Sequence, residues 1–164
     1  MRITFVQTGG TIDKDYPRNH GGYAFEFGEP AASRLLARWQ PTFEFDLHTA
    51  FQKDSTELTD ADRTQLAALI RDDASEHVVV THGTDTMLET AAALAGNVGA
   101  KRVVLTGAMR PERFSDSDAP LNVGCAVGAL QHVPPGVYVA MHGVVGRHDE
   151  VRRSPDSDRF KRTC

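Results

Sequence analysis

A chain of 164 residues is long enough to bury one hydrophobic core and too short for several. Its hydrophobic share of 40% and charged share of 24% are ordinary for a soluble globular domain. A net charge of −4 leaves no basic surface for nucleic acid, and no apolar run approaches the roughly 18 residues of a membrane span. The opening Met1–Val6 turns polar too soon for a secretory leader and reads as a first strand. Cys125 falls in a predicted helix and Cys164 is the last residue, which argues against a disulfide framework and for a reduced, cytoplasmic setting. The seven histidines show no ligand spacing, so neither a metal nor another cofactor is expected.

In chain order, strands are predicted at Ile3–Gln7, Phe43–Thr49, Val78–Thr81, Val103–Thr106 and Val137–Met141. The last three are nearly continuous apolar runs, the mark of strands buried on both faces. Helical patterns lie between them at about Pro30–Trp39, Asp60–Asp73, Thr86–Ala95 and Ala119–Gln131. Thr59 with Asp62 and Thr86 with Glu89 read as capping boxes, and Asp118 followed by Pro120 as a third helix start. Alternating units of this length imply an α/β fold: a three-layer αβα sandwich on a mainly parallel sheet, with flavodoxin-like topology. Residues 13–28 interrupt the pattern with charge, glycine and aromatics, which suggests a lid. The main domain is expected over 1–146. Residues 147–164 are expected to form a charged tail or loop.

Two threonine-rich turns each follow an apolar strand, Thr8-Gly9-Gly10-Thr11 and Thr81-His82-Gly83-Thr84-Asp85-Thr86. Open parallel sheets assemble their sites at such strand ends. The first turn reads as an exposed Thr11 nucleophile, as a phosphate-binding turn, or as a tight turn with a capping threonine. It lacks both the GxGxxG spacing and a Walker lysine. Thr84 and Asp85 read either as helix caps or as ligand groups, Asp85 holding an ammonium. His82 reads as a satisfied buried histidine or as a general base.

TGGTI, Asp54-Ser55, THGTDTMLETA and LTGAMRP followed by SDAPLN together resemble the bacterial-type L-asparaginase family, in family order over about residues 3–150. The resemblance implies Thr11 as the nucleophile that forms an acyl-enzyme and Thr84 as the group that activates water or nucleophile. It gives Asp85 the substrate's α-amino group and Ser55 the α-carboxylate, and counts Asp54, next to Ser55, among the substrate-binding residues. Ala108 falls beside the leaving amide. A lid tyrosine assists Thr11, and both Tyr16 and Tyr23 are candidates. The family's lysine partner to the Thr–Asp pair falls at Arg153, which stays charged and cannot act as a base. Arg153 is then expected to orient Asp85 or Thr84, with Lys161 or a tyrosine taking over the base. Family members run about twice this length, so the resemblance implies a short form expected to lack their C-terminal domain.

The resulting expectation is hydrolysis of L-asparagine to L-aspartate and ammonia by a homo-oligomer of at least two chains, with no nucleic acid or membrane partner. Alternatives are a glutaminase or related amidase, a non-catalytic amino-acid-binding module, and an ammonia-supplying component of a larger amidotransferase.

Overall fold

The computed structural model describes residues 1–17 and 25–163. Tyr23 and Cys164 lie outside the described residues. Strand β1 (Arg2–Gly9) runs into a short 3₁₀ turn, Thr11–Asp13, and then β2 (Lys14–Asp15), which pairs antiparallel with β3 (Glu26–Phe27). Helix α1 (Ala31–Trp39), strand β4 (Glu44–Lys53), a second 3₁₀ turn (Ser55–Glu57) and helix α2 (Asp60–Asp72) follow. Next come β5 (His77–Thr81), α3 (Met87–Leu94), β6 (Arg102–Thr106), α4 (Ala119–Leu130), β7 (Gly136–Met141) and β8 (Val144–Arg147). Two short strands, β9 (Val151–Arg153) and β10 (Phe160–Arg162), complete the order.

The main sheet has the order β4-β1-β5-β6-β7-β8, parallel except for β8, which folds back on β7. Side chains alternate between two cores because successive residues of a strand face opposite ways. Val6, Val78, Val80, Val103, Leu105, Val139 and Met141 pack on α2 and α3 through Leu66, Ile70, Met87 and Leu94. Ile3, Phe5, Val79, Val104 and Ala140 pack on α1 and α4 through Leu35, Leu36, Val123 and Leu130. The expected three-layer sandwich and its strand order are what the chain adopts. The direction of build-up reverses at β1, leaving a crevice between the ends of β1 and β5.

Two local expectations are corrected and others hold. Thr86 stands at the N-cap of α3 without capping it; its hydroxyl donates instead to the Ser55 carbonyl at 2.7 Å. Helix α4 starts after Asp118, with Pro120 in its first turn, as expected; the Asp118 side chain accepts from the backbone N–H groups of Met109 (3.0 Å) and Arg110 (3.2 Å) rather than from the helix. Residues 147–163 are not a loose tail: they carry β9 and β10, and Val151 and Phe160 are buried in the core beside α2 and α3. The Thr59–Asp62 capping box forms as expected, with Thr59 N–H donating to Asp62 at 2.9 Å and Asp62 N–H to the Thr59 hydroxyl at 3.2 Å. Among the described residues no helix is long and apolar enough to cross a membrane.

Candidate active site

Four strand ends meet at the crevice, packed closely around glycines. Gly10 sits at φ +80, and a Cβ there would collide with the Gly83 backbone. A Cβ on Gly83 would in turn lie 2.6 Å from the Ser55 Cβ and Oγ. The turns after β1, β5 and β4 are therefore in direct contact, a closeness only glycine permits. The loop after β6 joins them, because Gly107 packs against the His82 carbonyl. Gly10 N–H donates to Lys53 O at 3.0 Å, and the Thr8 hydroxyl to Thr81 O at 2.8 Å, which fixes the turns to the sheet.

This packing brings together most of the residues expected from sequence. Thr11 opens its turn half-buried, Thr84 is buried, and Asp85 beside it is exposed. Ser55 is buried, and its Oγ has no hydrogen-bond partner among the described residues. Asp54 accepts from Lys14 Nζ at 3.1 Å; although burial works against ionisation, this contact and the Thr56 N–H hold its carboxyl below the usual range. Ala108 is fully buried in the core under α1 and α4.

Arg153 reaches the site from β9. Its Nη1 donates to Asp85 Oδ1 at 2.7 Å and to Thr84 O at 3.2 Å, while Nη2 donates to Asp158 Oδ2 at 2.8 Å. These carboxylates, Asp158 foremost, raise the guanidinium further above its already high value. Arg153 thus touches both members of the Thr84–Asp85 pair, as expected of an orienting group. Lys161 is exposed on β10, opposite Arg152 in register, and no described contact ties it to this site.

Tyr16 does not reach in toward Thr11. It is 62% exposed and stacks on Phe114 with ring centroids 6.0 Å apart, while Phe25 sits 5.9 Å from both rings. The cluster joins the stem of the 13–28 segment to the loop after β6, beside an ion pair from Arg113 to Asp15 at 3.0 Å. Tyr16 is therefore a stem residue in this structure. Tyr23, the other candidate, lies outside the described residues.

Two buried titratable groups flank the turns. Asp13, two residues past Thr11, is pushed up to about 6 by burial, against the pull of hydrogen bonds from Ala31 N–H (2.7 Å) and the Thr81 hydroxyl (3.0 Å). It caps α1, whose own N-cap position is Pro30 and has no side-chain acceptor. His82 is pushed down to about 4 by burial and is neutral at pH 7, its Nδ1 2.7 Å from the Gly83 carbonyl. A neutral imidazole at that distance from a carbonyl donates from Nδ1. His82 Nε2 has no partner among the described residues. His82 is thus a buried structural histidine that holds Gly83 rather than a group open to substrate.

Sequence reading missed Lys14, Asp13 and Glu112. Lys14 was visible only as charge within the interrupting segment, and its pairing with Asp54 spans 40 residues. Glu112 is buried between Arg34, 2.5 Å away, and Arg38, and its N–H holds the Ile12 carbonyl at 3.2 Å, next to Thr11. Neither pairing leaves a local pattern.

Residues 2–161 match the family model described as Asparaginase, N-terminal. Among curated proteins, a glutamyl-tRNA(Gln) amidotransferase component from Pyrococcus furiosus is 35% identical over 149 residues, covering 86% of this chain and 33% of that protein. Its namesake from Methanococcus vannielii is 45% identical over 75 residues, covering 45% of this chain and 18% of that protein. Among solved structures, the thermostable L-asparaginase from Thermococcus kodakarensis superposes with a TM-score of 0.83 at 26% identity, over 99% of this chain and 51% of that one. A probable cytoplasmic L-asparaginase from Campylobacter jejuni gives 0.81 at 28% identity, over 98% and 52%. The chain spans about half the length of these structures and a third or less of the two amidotransferase proteins.

Proposed function

Since the chain belongs to the asparaginase family, by its N-terminal domain over residues 2–161, we propose that it hydrolyses the side-chain amide of L-asparagine through Thr11. The observation that carries this is the Gly10–Gly83–Ser55 contact, which sets Thr11, Thr84 and Ser55 on adjoining strand ends around one crevice. Thr11 Oγ attacks the amide carbon and its proton passes to the amide nitrogen, which departs as ammonia; water then opens the acyl-threonine ester, releasing the acid and restoring the Thr11 hydroxyl. Gly10 N–H is already bonded to Lys53 O, so the oxyanion falls to the N–H groups at the start of the Thr11–Asp13 turn. The unpartnered Ser55 Oγ suits the substrate's α-carboxylate, because a buried hydroxyl without a partner costs about 1–3 kcal/mol until something accepts its hydrogen bond. Asp85, exposed beside Thr84, suits the α-ammonium.

The test compares ammonia release from asparagine and glutamine by wild type, Thr11→Ala, Thr84→Val and Arg153→Ala. Loss in the two threonine variants supports this assignment; release in Thr11→Ala equal to wild type overturns it. Faster glutamine turnover moves the substrate by one methylene, a difference of about 1–3 kcal/mol in a simple pocket. Wild-type rates in Arg153→Ala remove Arg153 from the machinery, and higher activity in Arg153→Lys marks its position as a base site. Binding of asparagine with no ammonia identifies an amino-acid-binding module.

The relatives favour a second reading. Those named as components of an amidotransferase suggest ammonia supplied to a partner chain. Ammonia release that requires a co-purifying second chain supports it. The assignment also includes self-association, with edge strand β4 leaving Phe45 and Leu47 exposed. A monomer mass by sedimentation equilibrium removes that part.

A further inference from the structure

We propose that Asp158 is a positioning residue for the site: it grips Arg153 from behind and supplies the second carboxylate that keeps the Asp85 cluster negative. Arg153 offers three nitrogens: Nη2 donates to Asp158 Oδ2 at 2.8 Å, and Nε lies 2.8 Å from Asp158 Oδ1 as a charge contact without hydrogen-bond alignment. The third, Nη1, is thereby aimed at Asp85 Oδ1 and Thr84 O. The Arg153 side chain is only 23% exposed, so its charge is not simply given up to water.

A guanidinium never sheds its proton. Arg153 and Asp85 alone would therefore cancel, leaving a neutral rim with no pull on a cation. With Asp158 included, two carboxylates face one guanidinium and the cluster carries one net negative charge. That is the sign needed to receive the α-ammonium of an amino-acid amide.

Asp158 is held where this role needs it. Its backbone lies at φ +59, a region few residues other than glycine, asparagine and aspartate adopt. Its N–H donates to Ser154 O at 2.8 Å, and Ser154 N–H donates to Arg159 O at 2.8 Å, which closes the turn between β9 and β10. The turn rests on buried Phe160, whose ring lies 5.9 Å from that of His142. Asp158 acts through Arg153, and nothing places it on substrate.

This inference rests on the amidohydrolase assignment and deepens it by naming a further residue that selects for the substrate's α-ammonium. The test pairs L-asparagine with succinamate, which has the same amide and carboxylate and no ammonium. In Asp158→Asn the KM for asparagine rises about five- to tenfold, the size of one partly screened charge contact, while the KM for succinamate moves less than about twofold. Asp158→Glu recovers part of the loss, and Asp158→Asn adds less than about twofold in an Arg153→Ala background. Equal losses on both amides overturn the proposal, as does an unchanged KM for asparagine. Calorimetric binding of L-aspartate against succinate asks the same question without turnover. If wild type releases no ammonia, the amidohydrolase assignment fails, yet preferential loss of L-aspartate binding in Asp158→Asn still supports the role given to Asp158. Wild type that binds L-aspartate no better than succinate overturns it.

Discussion

The floor and the rim of this site are built by different physics. The floor is close packing around glycines, with Gly10 on the Gly83 backbone, Gly83 on the short Ser55 side chain and Gly107 on the His82 carbonyl. The rim is charge against charge, with Lys14 on Asp54, Arg113 on Asp15, and Arg153 between Asp85 and Asp158. Close packing has little tolerance, because interiors transmit strain and leave no room for an added methyl. Exposed ion pairs have ample tolerance, each contributing about 0–1 kcal/mol and screened by salt. A crevice made this way is rigid at its floor and adjustable at its rim.

The sharpest way to break the comparison is at the floor. Gly10→Ala must displace the Gly83 main chain and Gly83→Ala the buried Ser55 side chain, and each is expected to cost about 3 kcal/mol or more, with loss of the native thermal transition. A melting temperature within about 3 °C of wild type would show that the floor has slack.

Removing the hydroxyl without touching the packing comes next. Thr11→Ala should lower kcat by about 1,000-fold or more while leaving the melting temperature nearly unchanged, measured by ammonia release and thermal denaturation. A mild kinetic loss with a large thermal one would make Thr11 part of the floor only.

The two buried titratable groups give a third test, with opposite signs. Asp13 moves from 3.8 to about 6 on folding, so the folded protein binds that proton more tightly, and stability is lost as pH rises from about 4 through 6. His82 moves from 6.5 to about 4, so stability is full above 6.5 and is lost as pH falls toward 4. Each shift corresponds to about 3 kcal/mol, and between pH 4 and 6 the two nearly cancel. In Asp13→Asn the amide oxygen can keep the Ala31 N–H and its NH₂ can donate to Thr81. That variant should gain about 1–3 kcal/mol at pH 8 in urea denaturation, gain nothing at pH 4, and expose the steep acid loss due to His82. Equal stability of the two proteins at pH 8 would remove the charge on Asp13 as a cost.

The smallest effect is expected at the rim. Lys14→Ala should change stability by less than about 0.5 kcal/mol, and any change in KM should shrink as salt is raised. A loss of more than about 2 kcal/mol would place Lys14 with the floor instead.

Much of the frame was legible because its strands are buried on both faces. The runs at Val78–Val80, Val103–Leu105 and Val137–Met141 leave no other reading, and Thr59 with Asp62 announces α2 by a purely local bond. What stayed hidden depends on distant partners. Edge strand β4 runs on to Lys53, four residues past its predicted end, because it has no buried run to mark it. Thr86 looks like a cap until Ser55 arrives from 31 residues away and takes its hydroxyl. The β7–β8 hairpin turns on His142 and Gly143, both at positive φ, a two-residue turn that a histidine conceals. Val151 and Phe160 are lone apolar residues in a charged stretch, so the core they complete gives no periodic signal. In the site, the motif residues were found by resemblance, while Asp13, Lys14 and Asp158 are visible only once the chain is folded.

Asp13 also fastens the segment that follows it. Its carbonyl accepts from Gly28 N–H at 3.1 Å and its carboxylate from Ala31 N–H at 2.7 Å, so the chain leaves this residue and returns to it. Everything from Lys14 to Gly28 is thus an excursion with a common point of exit and entry. Closing a longer excursion costs only about 0.6 kcal/mol per doubling of length. Sequence and length there can therefore be exchanged as a cassette, with the sheet and the foothold of Thr11 left as they are. Variation in one loop can in this way leave the fold beneath it unaltered.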